Sequence, residues 1–408
     1  MIQYQVNFNH ANQHLLEIRL QIDSQLQQGQ EFWLPDWLPG SYMIRDFSKN
    51  IQWLRASSNG VDCQLTKTGK SNWRLQQSVD CLELVYQVYA WDLSVRTAHF
   101  DQYHCFFNGS SLFLALKGME SQPHQVLLVS SALNHEKQMA PVSSKHRVAT
   151  SMSAKQIDQR GFGLYESKDY AELIDHPFEI ADYIEAQFEL AGVVHKMIFT
   201  DAPPNTDLDR IIADVQLVCQ QTYQMFDDQL PFEHYYFLTL VLKKGFGGLE
   251  HRSSTALHCS RSDLPLIGES PDNKSDGYQT FLALCSHEYF HAWNVKRIKP
   301  KVFQDYQLQQ PVFTPLLWFF EGITSYYDEL MLVRAGVIGH ADYLTMIAKN
   351  ISRYLRGEGR QLQTISESSF DAWTRFYQQD ENAANAIVSY YVKGGILAML
   401  LDHEISYG

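Results

Sequence analysis

The chain has 408 residues, 45% of them hydrophobic and 13% aromatic, enough for two or three domains around a substantial buried core. Its formal net charge is −13, which argues against nucleic acid as the main partner, because phosphate binding needs a basic face. An acidic chain instead favours cationic ligands, such as a free amino terminus.

The opening MIQYQVNFNH has neither a basic n-region nor an apolar h-region, so no signal peptide is expected. No apolar run approaches the roughly 18 residues that a membrane helix needs, so a cytoplasmic protein without a membrane partner is expected. Cys63, Cys81, Cys105, Cys219, Cys259 and Cys285 are scattered without a CxxC pair, the pattern of buried free thiols in a reducing compartment.

Residues 1 to about 165 read as β-rich. HLLEIRLQI, DCLELVYQVYAW and HQVLLVS carry β-branched and aromatic residues in partial alternation, broken by turn clusters such as SSNG and FNGSS. A sandwich-like domain is the natural expectation. EFWLPDWLPG reads as a packed turn of that domain. Tyr42 and Arg45 follow it closely, which leaves a role at a catalytic edge as the second reading.

The texture changes from about 166. FEIADYIEAQFEL and HKMIFTD still read as strands, and HYYFLTLVL is another. Between them, NTDLDRIIADVQLVCQQTYQMF has helical periodicity, with Asn205 or Thr206 as a cap. Long helical patterns follow in DGYQTFLALCSHEYFHAWNVKR, TPLLWFFEGITSYYDELMLVRAG and HADYLTMIAKNISRYLRG. The last segment, AIVSYYVKGGILAMLLDHEISYG, reads as helical after Gly395. It stops with that pattern barely finished, so a natural C-terminal part is expected to be absent.

The chemistry centres on HEYFH. On a helix, positions i and i+4 share a face, so His287 and His291 can both point at one ion. Zinc accepts imidazole nitrogen, and a catalytic site uses three protein ligands with one open position. Glu288, one residue along, points elsewhere and can serve as general base to a water at that position. The plain alternative is an ordinary helix that carries two histidines. A third ligand is offered by Glu321 in FFEGITSYYDE, where an unpaired carboxylate in an apolar helical stretch would be costly. The alternative is a helix-start Glu facing solvent beside Gly322. Ser325 and Asp328 fall on the Glu321 side of that helix, and either could hydrogen-bond a ligand histidine.

Two other stretches suit an exopeptidase. GFGGLEH, Gly245 to His251, has glycines that let backbone lie close to an extended substrate, with Glu250 able to hold an ammonium. On spacing alone, a hairpin turn with a surface Glu is the simpler reading. SYYVKGG, Ser389 to Gly395, offers a tyrosine hydroxyl for an oxyanion, although a Tyr pair before a helix is more often packing. His99, His104 and His258 read as hydrogen-bonded structural residues. Lys296, Arg297 and Lys299 read as cations at a helix C-terminus.

HEYFH, WFFEG, GGLEH and YVKG occur in the order seen in gluzincin aminopeptidases. The longer gap to Glu321, together with DWLPGSYMIRDFSKNI, HEYFHAWNVKRIKP, ESKDYAELIDHPFEI and ISESSFDAW, resembles the M61 glycyl aminopeptidase family over nearly the whole chain. The resemblance implies a multidomain α+β protein. Residues 1–165 would be an N-terminal β-rich, sandwich-like domain. Residues 166–408 would be a thermolysin-like α/β catalytic domain with a helical C-terminal part. His287, His291 and Glu321 match the zinc ligands, one Zn2+ being the cofactor, and Glu288 matches the general base. Glu250 matches the acidic residue that binds the substrate amine, and Gly247 and Gly248 match the backbone that lines the substrate. Tyr391 matches the oxyanion tyrosine, with its neighbour Tyr390 as the fallback.

The implied activity is zinc-dependent removal of small N-terminal residues, Gly or Ala, from peptides with a free amino terminus. His251 stands where better-known aminopeptidases have Asn, although M61-like sequences use Glu-His. Family members usually continue into a helical and PDZ-like region, neither of which is visible, so an incomplete pocket is a further expectation. Two rival readings keep the same fold: a catalytically silent peptide-binding protein, and a gluzincin acting on a non-peptide such as an epoxide.

Overall fold

The computed structural model describes residues 1–129, 143, 145–272, 274–304 and 307–407. The chain groups into two units, one of Met1–Ser41 with Arg45–Ile184, the other of Tyr42–Ile44 with Glu185–Gly408.

In the first unit, alternation builds the sheets. Ile2, Tyr4, Val6 and Phe8 of strand Ile2–His10 are buried, as are Leu16, Ile18, Leu20 and Ile22 of Leu15–Ile22 and Leu82, Leu84, Tyr86 and Val88 of Leu82–Tyr89. Each strand therefore turns one face to the core. They are the centre of an eight-stranded sheet in which Leu15–Ile22 pairs antiparallel with both neighbours. Two four-stranded sheets complete the unit. Asn59 and Gly60, both at positive φ, turn the hairpin between Ile51–Ser58 and Val61–Cys63.

The boundary lies after Ile184 rather than after residue 165. Strand Gly163–Ser167 pairs with His124–Val129, and Phe178–Ala181 pairs with His104–Phe107, so this stretch belongs to the first unit's sheets. His99 contacts Asp101 at 3.3 Å and His104 contacts Glu179 at 3.1 Å, both as buried residues of the core. All six cysteines are free thiols, and Cys105, Cys219, Cys259 and Cys285 are buried.

The second unit has a five-stranded sheet in the order Tyr183–Leu190, Val193–Thr200, His234–Leu242, Ser254–Ser260, Gly247–Glu250. Val193–Thr200, His234–Leu242 and Ser254–Ser260 run parallel, and the edge strand Gly247–Glu250 is antiparallel to its neighbour. GFGGLEH is therefore a sheet edge, not a hairpin tip. Helix Leu208–Met225 is capped by Asp207, whose carboxylate accepts from the Arg210 N–H, rather than by Asn205 or Thr206.

Helix Asp276–Phe290 starts at the Ser275 cap and ends at His291, short of the expected Arg297. Arg297 instead donates to the carbonyls of Ala292 and Arg252. After it come a π-helical turn, Trp318–Gly322, and helices Ile323–Arg334, His340–Arg356 and Tyr390–Tyr407. The last begins before the two glycines, not after Gly395. The stretch Ala383–Ser406, which includes most of this helix, is long and apolar enough to cross a membrane by length and composition only, a property that core helices share. The helix Tyr390–Tyr407 packs on Trp318–Gly322 and on Ile323–Arg334.

The β-rich beginning, the mixed α/β middle and the helical end are the fold class expected.

Candidate active site

The motif helix does what i,i+4 spacing dictates. The Nε2 atoms of His287 and His291 lie 3.1 Å apart. Glu321 Oε2 faces both, at 3.6 Å from His287 Nε2 and 3.3 Å from His291 Nε2. Glu321 is 2% exposed, so the solvent-facing alternative does not hold.

Each ring's other nitrogen is engaged. His287 Nδ1 is 2.8 Å from Asp328 Oδ2, and His291 Nδ1 is 2.6 Å from the Asn294 carbonyl. A carbonyl can only accept, so His291 carries a hydrogen on Nδ1, and the neutral ring then turns a lone pair inward at Nε2. The Asp328 carboxylate favours the same tautomer for His287. Two imidazole lone pairs and a carboxylate oxygen converging this closely repel one another unless a cation lies among them. That donor set fits zinc.

The local fold explains the convergence. Asn294 donates through Nδ2 to the Phe320 carbonyl at 3.3 Å and to Thr324 Oγ1 at 3.2 Å, which ties the end of the motif helix to the turn carrying Glu321. That π-helical turn is held against the last helix by facing glycines. A Cβ on Gly322 would lie 2.5 Å from Gly394 Cα, and one on Gly394 would lie 2.8 Å from the Trp318 carbonyl oxygen. Only bare backbone fits this crossing. Replacing Gly322 by Ala is expected to destabilise the fold by about 1–3 kcal/mol, as overpacking does. Chemical unfolding that leaves the transition midpoint in place would refute the crossing.

The remaining candidates gather here too. Glu288, His291 and Glu250 each offer a ligand atom within 4.8 Å of the other two. Burial pushes the Glu288 carboxyl up to about 7, with His287 opposing the rise and Glu250 adding to it. Burial alone would also raise Glu321, whereas His291 and His287 in their protonated form would hold its carboxyl well below the usual range. Glu250 Oε1 is buried and finds no hydrogen-bond partner among the described residues, a costly state for a carboxylate unless a cationic ligand arrives. Gly248 lies against the motif helix: a Cβ there would lie 2.0 Å from Glu288 Oε1. Gly247 starts the same edge strand.

The Tyr391 ring lies 6.4 Å from that of His287, and its hydroxyl is 3.0 Å from that of Tyr377. Burial, then the neighbouring Glu321 charge, raises the Tyr391 phenol well above its usual range, so it stays a hydrogen-bond donor. Tyr390 is fully buried and packs on Phe376 and Tyr391. Of the two guesses at a histidine partner, Asp328 makes the bond to His287, whereas Ser325 lies beside Gly395. Sequence reasoning missed Asn294 and Tyr377. The first sits within the motif string as an unremarked amide, and the second arrives from a segment with no motif of its own.

Residues 3–182 match the family model of the peptidase M61 N-terminal domain, and residues 280–397 match that of the M61 glycyl aminopeptidase. A solved structure of an aminopeptidase N family protein from Idiomarina loihiensis is 43% identical, with TM-score 0.94 over 99% of this chain and 67% of that one. The chain belongs to the M61 family. It is thereby a peptidase, with a metallo-aminopeptidase's family membership and fold. Two structures of an M1 zinc metallopeptidase from Deinococcus radiodurans, one of them a point mutant, are 13% and 12% identical to this M61 chain. Their TM-scores are 0.55 and 0.54, over 100% of this chain and 82% of theirs, a likeness of fold. None of the curated proteins matches it.

Proposed function

We propose that the chain is a zinc-dependent aminopeptidase that removes small amino-terminal residues, Gly or Ala, from peptides. One observation carries the reading. Two imidazole Nε2 atoms and a carboxylate oxygen converge while both Nδ1 atoms are committed elsewhere. His287, His291 and Glu321 would hold the ion. When bound, zinc supplies Lewis-acid polarisation to the water and to the scissile carbonyl.

The rest is the work of this chain's own residues. An extended peptide lies along the edge strand Gly247–Glu250 and adds to it through backbone hydrogen bonds. Its ammonium meets the orphaned carboxylate oxygen of Glu250, which fixes the cleavage point by counting from the amino terminus. Glu288, beside Gly248, takes the proton of the attacking water and passes it to the leaving amine. Tyr391 donates to the oxygen that gains charge in the tetrahedral intermediate, with Tyr377 holding its hydroxyl. The small-residue preference rests on the family's description as a glycyl aminopeptidase.

The test is cleavage of an Ala- or Gly-led peptide, free and N-acetylated, by zinc-loaded protein. Cleavage of the free form alone is expected, and cleavage of both would make the chain an endopeptidase. Replacing Glu250 by Ala is expected to lower kcat/KM for the free form by about 10- to 100-fold, the worth of about 1.5–3 kcal/mol in a charged hydrogen bond. The acetylated control should not change. Undiminished selectivity for the free amine would remove Glu250 from this role.

A further inference from the structure

Glu321 uses its two carboxylate oxygens differently. Oε2 faces the histidines, whereas Oε1 accepts a hydrogen bond of 3.1 Å from the Tyr42 hydroxyl. Tyr42 comes from far back in the sequence, yet Tyr42–Ile44 group with the second unit. The ring is 1% exposed. It stacks on Phe303 at 6.0 Å and 17°, and meets Trp373 and Tyr377 edge-on or tilted at 6.0 and 6.1 Å. The residue is thus clamped on its faces and edges, with its one polar atom aimed at Glu321. A carboxylate can only accept, so the phenol is the donor.

We propose that Tyr42 is a positioning residue for the metal centre: its hydroxyl occupies Glu321 Oε1 and thereby turns Oε2 alone toward the metal. The proposal rests on the zinc reading above. Three consequences follow from the chemistry. A carboxylate oxygen that accepts a hydrogen bond is the poorer metal ligand of the pair, so binding would favour the other oxygen. The carboxylate's rotation about the last side-chain torsion, otherwise broad and two-fold, is stopped. Groups that orient metal ligands in this way are worth about 10- to 100-fold in metal affinity or activity. Tyr42–Ile44, encoded far from the motif helix, would then be part of the second unit's site and not only a connection.

Tyr42→Phe keeps the ring and its three aromatic contacts and deletes only the hydroxyl. Tyr42→Leu deletes both. The readouts are zinc affinity by chelator competition, the visible spectrum of the cobalt-substituted full chain, and the melting temperature of the metal-free protein. Tyr42→Phe is expected to lower zinc affinity by about 10-fold or more and to change the cobalt spectrum, while the metal-free protein melts as the parent does. An affinity within about twofold of the parent, with a superimposable cobalt spectrum, would overturn the proposal. So would loss in Tyr42→Leu alone, which would assign the residue to packing. Glu321→Ala gives the baseline. If the parent holds zinc no better than that variant, the zinc reading itself fails and this proposal falls with it. If the parent binds and only Tyr42→Phe is indifferent, the zinc reading stands without it.

Discussion

Replacing Glu288 by Gln is expected to lower turnover by about 10²- to 10⁴-fold while zinc stays bound at full stoichiometry. The range is what a positioned general base contributes. The substitution is nearly isosteric, so the contact with Gly248 survives, and Glu288 is not one of the three donors whose Nε2 and carboxylate atoms converge. What disappears is the capacity to take a proton. Burial and the nearby Glu250 raise the carboxyl to about 7, where it can both accept a proton from water and give one to a leaving amine. The check is kcat and kcat/KM on a Gly- or Ala-led peptide, beside metal content by elemental analysis. Near-normal turnover would end the base assignment, and loss of zinc would mean that Glu288 helps to hold the ion.

The strands were the most legible part of the fold, because burying one face writes alternation into strands such as Leu15–Ile22 and Leu82–Tyr89. Helix ends were less so. Several oxygen-bearing residues before Leu208 can cap, and only the backbone path decides for Asp207. The glycines of YVKGG read as a break, since Gly in a helix interior costs about 1 kcal/mol relative to Ala. Here the cost is met by the contact of Gly394 with Gly322, a fact about two segments far apart in the chain.

The candidate site divides in the same way. His287, Glu288 and His291 are legible because one helical turn sets their relation. Glu321 stands out as an acid in an apolar run. Asn294 was not legible, because its role depends on a backbone carbonyl that folds back once the helix ends. Tyr377 and Tyr42 were not legible as partners either. Each meets the site through tertiary packing, and no local spacing encodes the hydroxyl contact with Tyr391 or with Glu321.

Adding a single methyl group at Gly248 is expected to harm turnover nearly as much as removing the base. A Cβ on Gly248 would lie 2.0 Å from Glu288 Oε1, 2.5 Å from its Cδ and 2.8 Å from its Cγ, so both cannot stay. The backbone of the edge strand is held by its pairing with Ser254–Ser260, from Gly247 opposite His258 to Glu250 opposite Thr255. The Glu288 side chain is the softer partner, and it is the one that moves. Displacing a catalytic group by about 1 Å costs on the order of 10²-fold in rate. Gly248→Ala should therefore fold and bind zinc as the parent does, yet lose about 10²-fold or more in kcat. Combining it with Glu288→Gln separates two explanations. If the glycine acts by leaving room for the base, the double variant should be little worse than Glu288→Gln alone, because a base already lost cannot be misplaced. If the double variant loses the full factor again, the methyl group is instead blocking the peptide backbone along the strand, and Gly248 belongs to substrate binding.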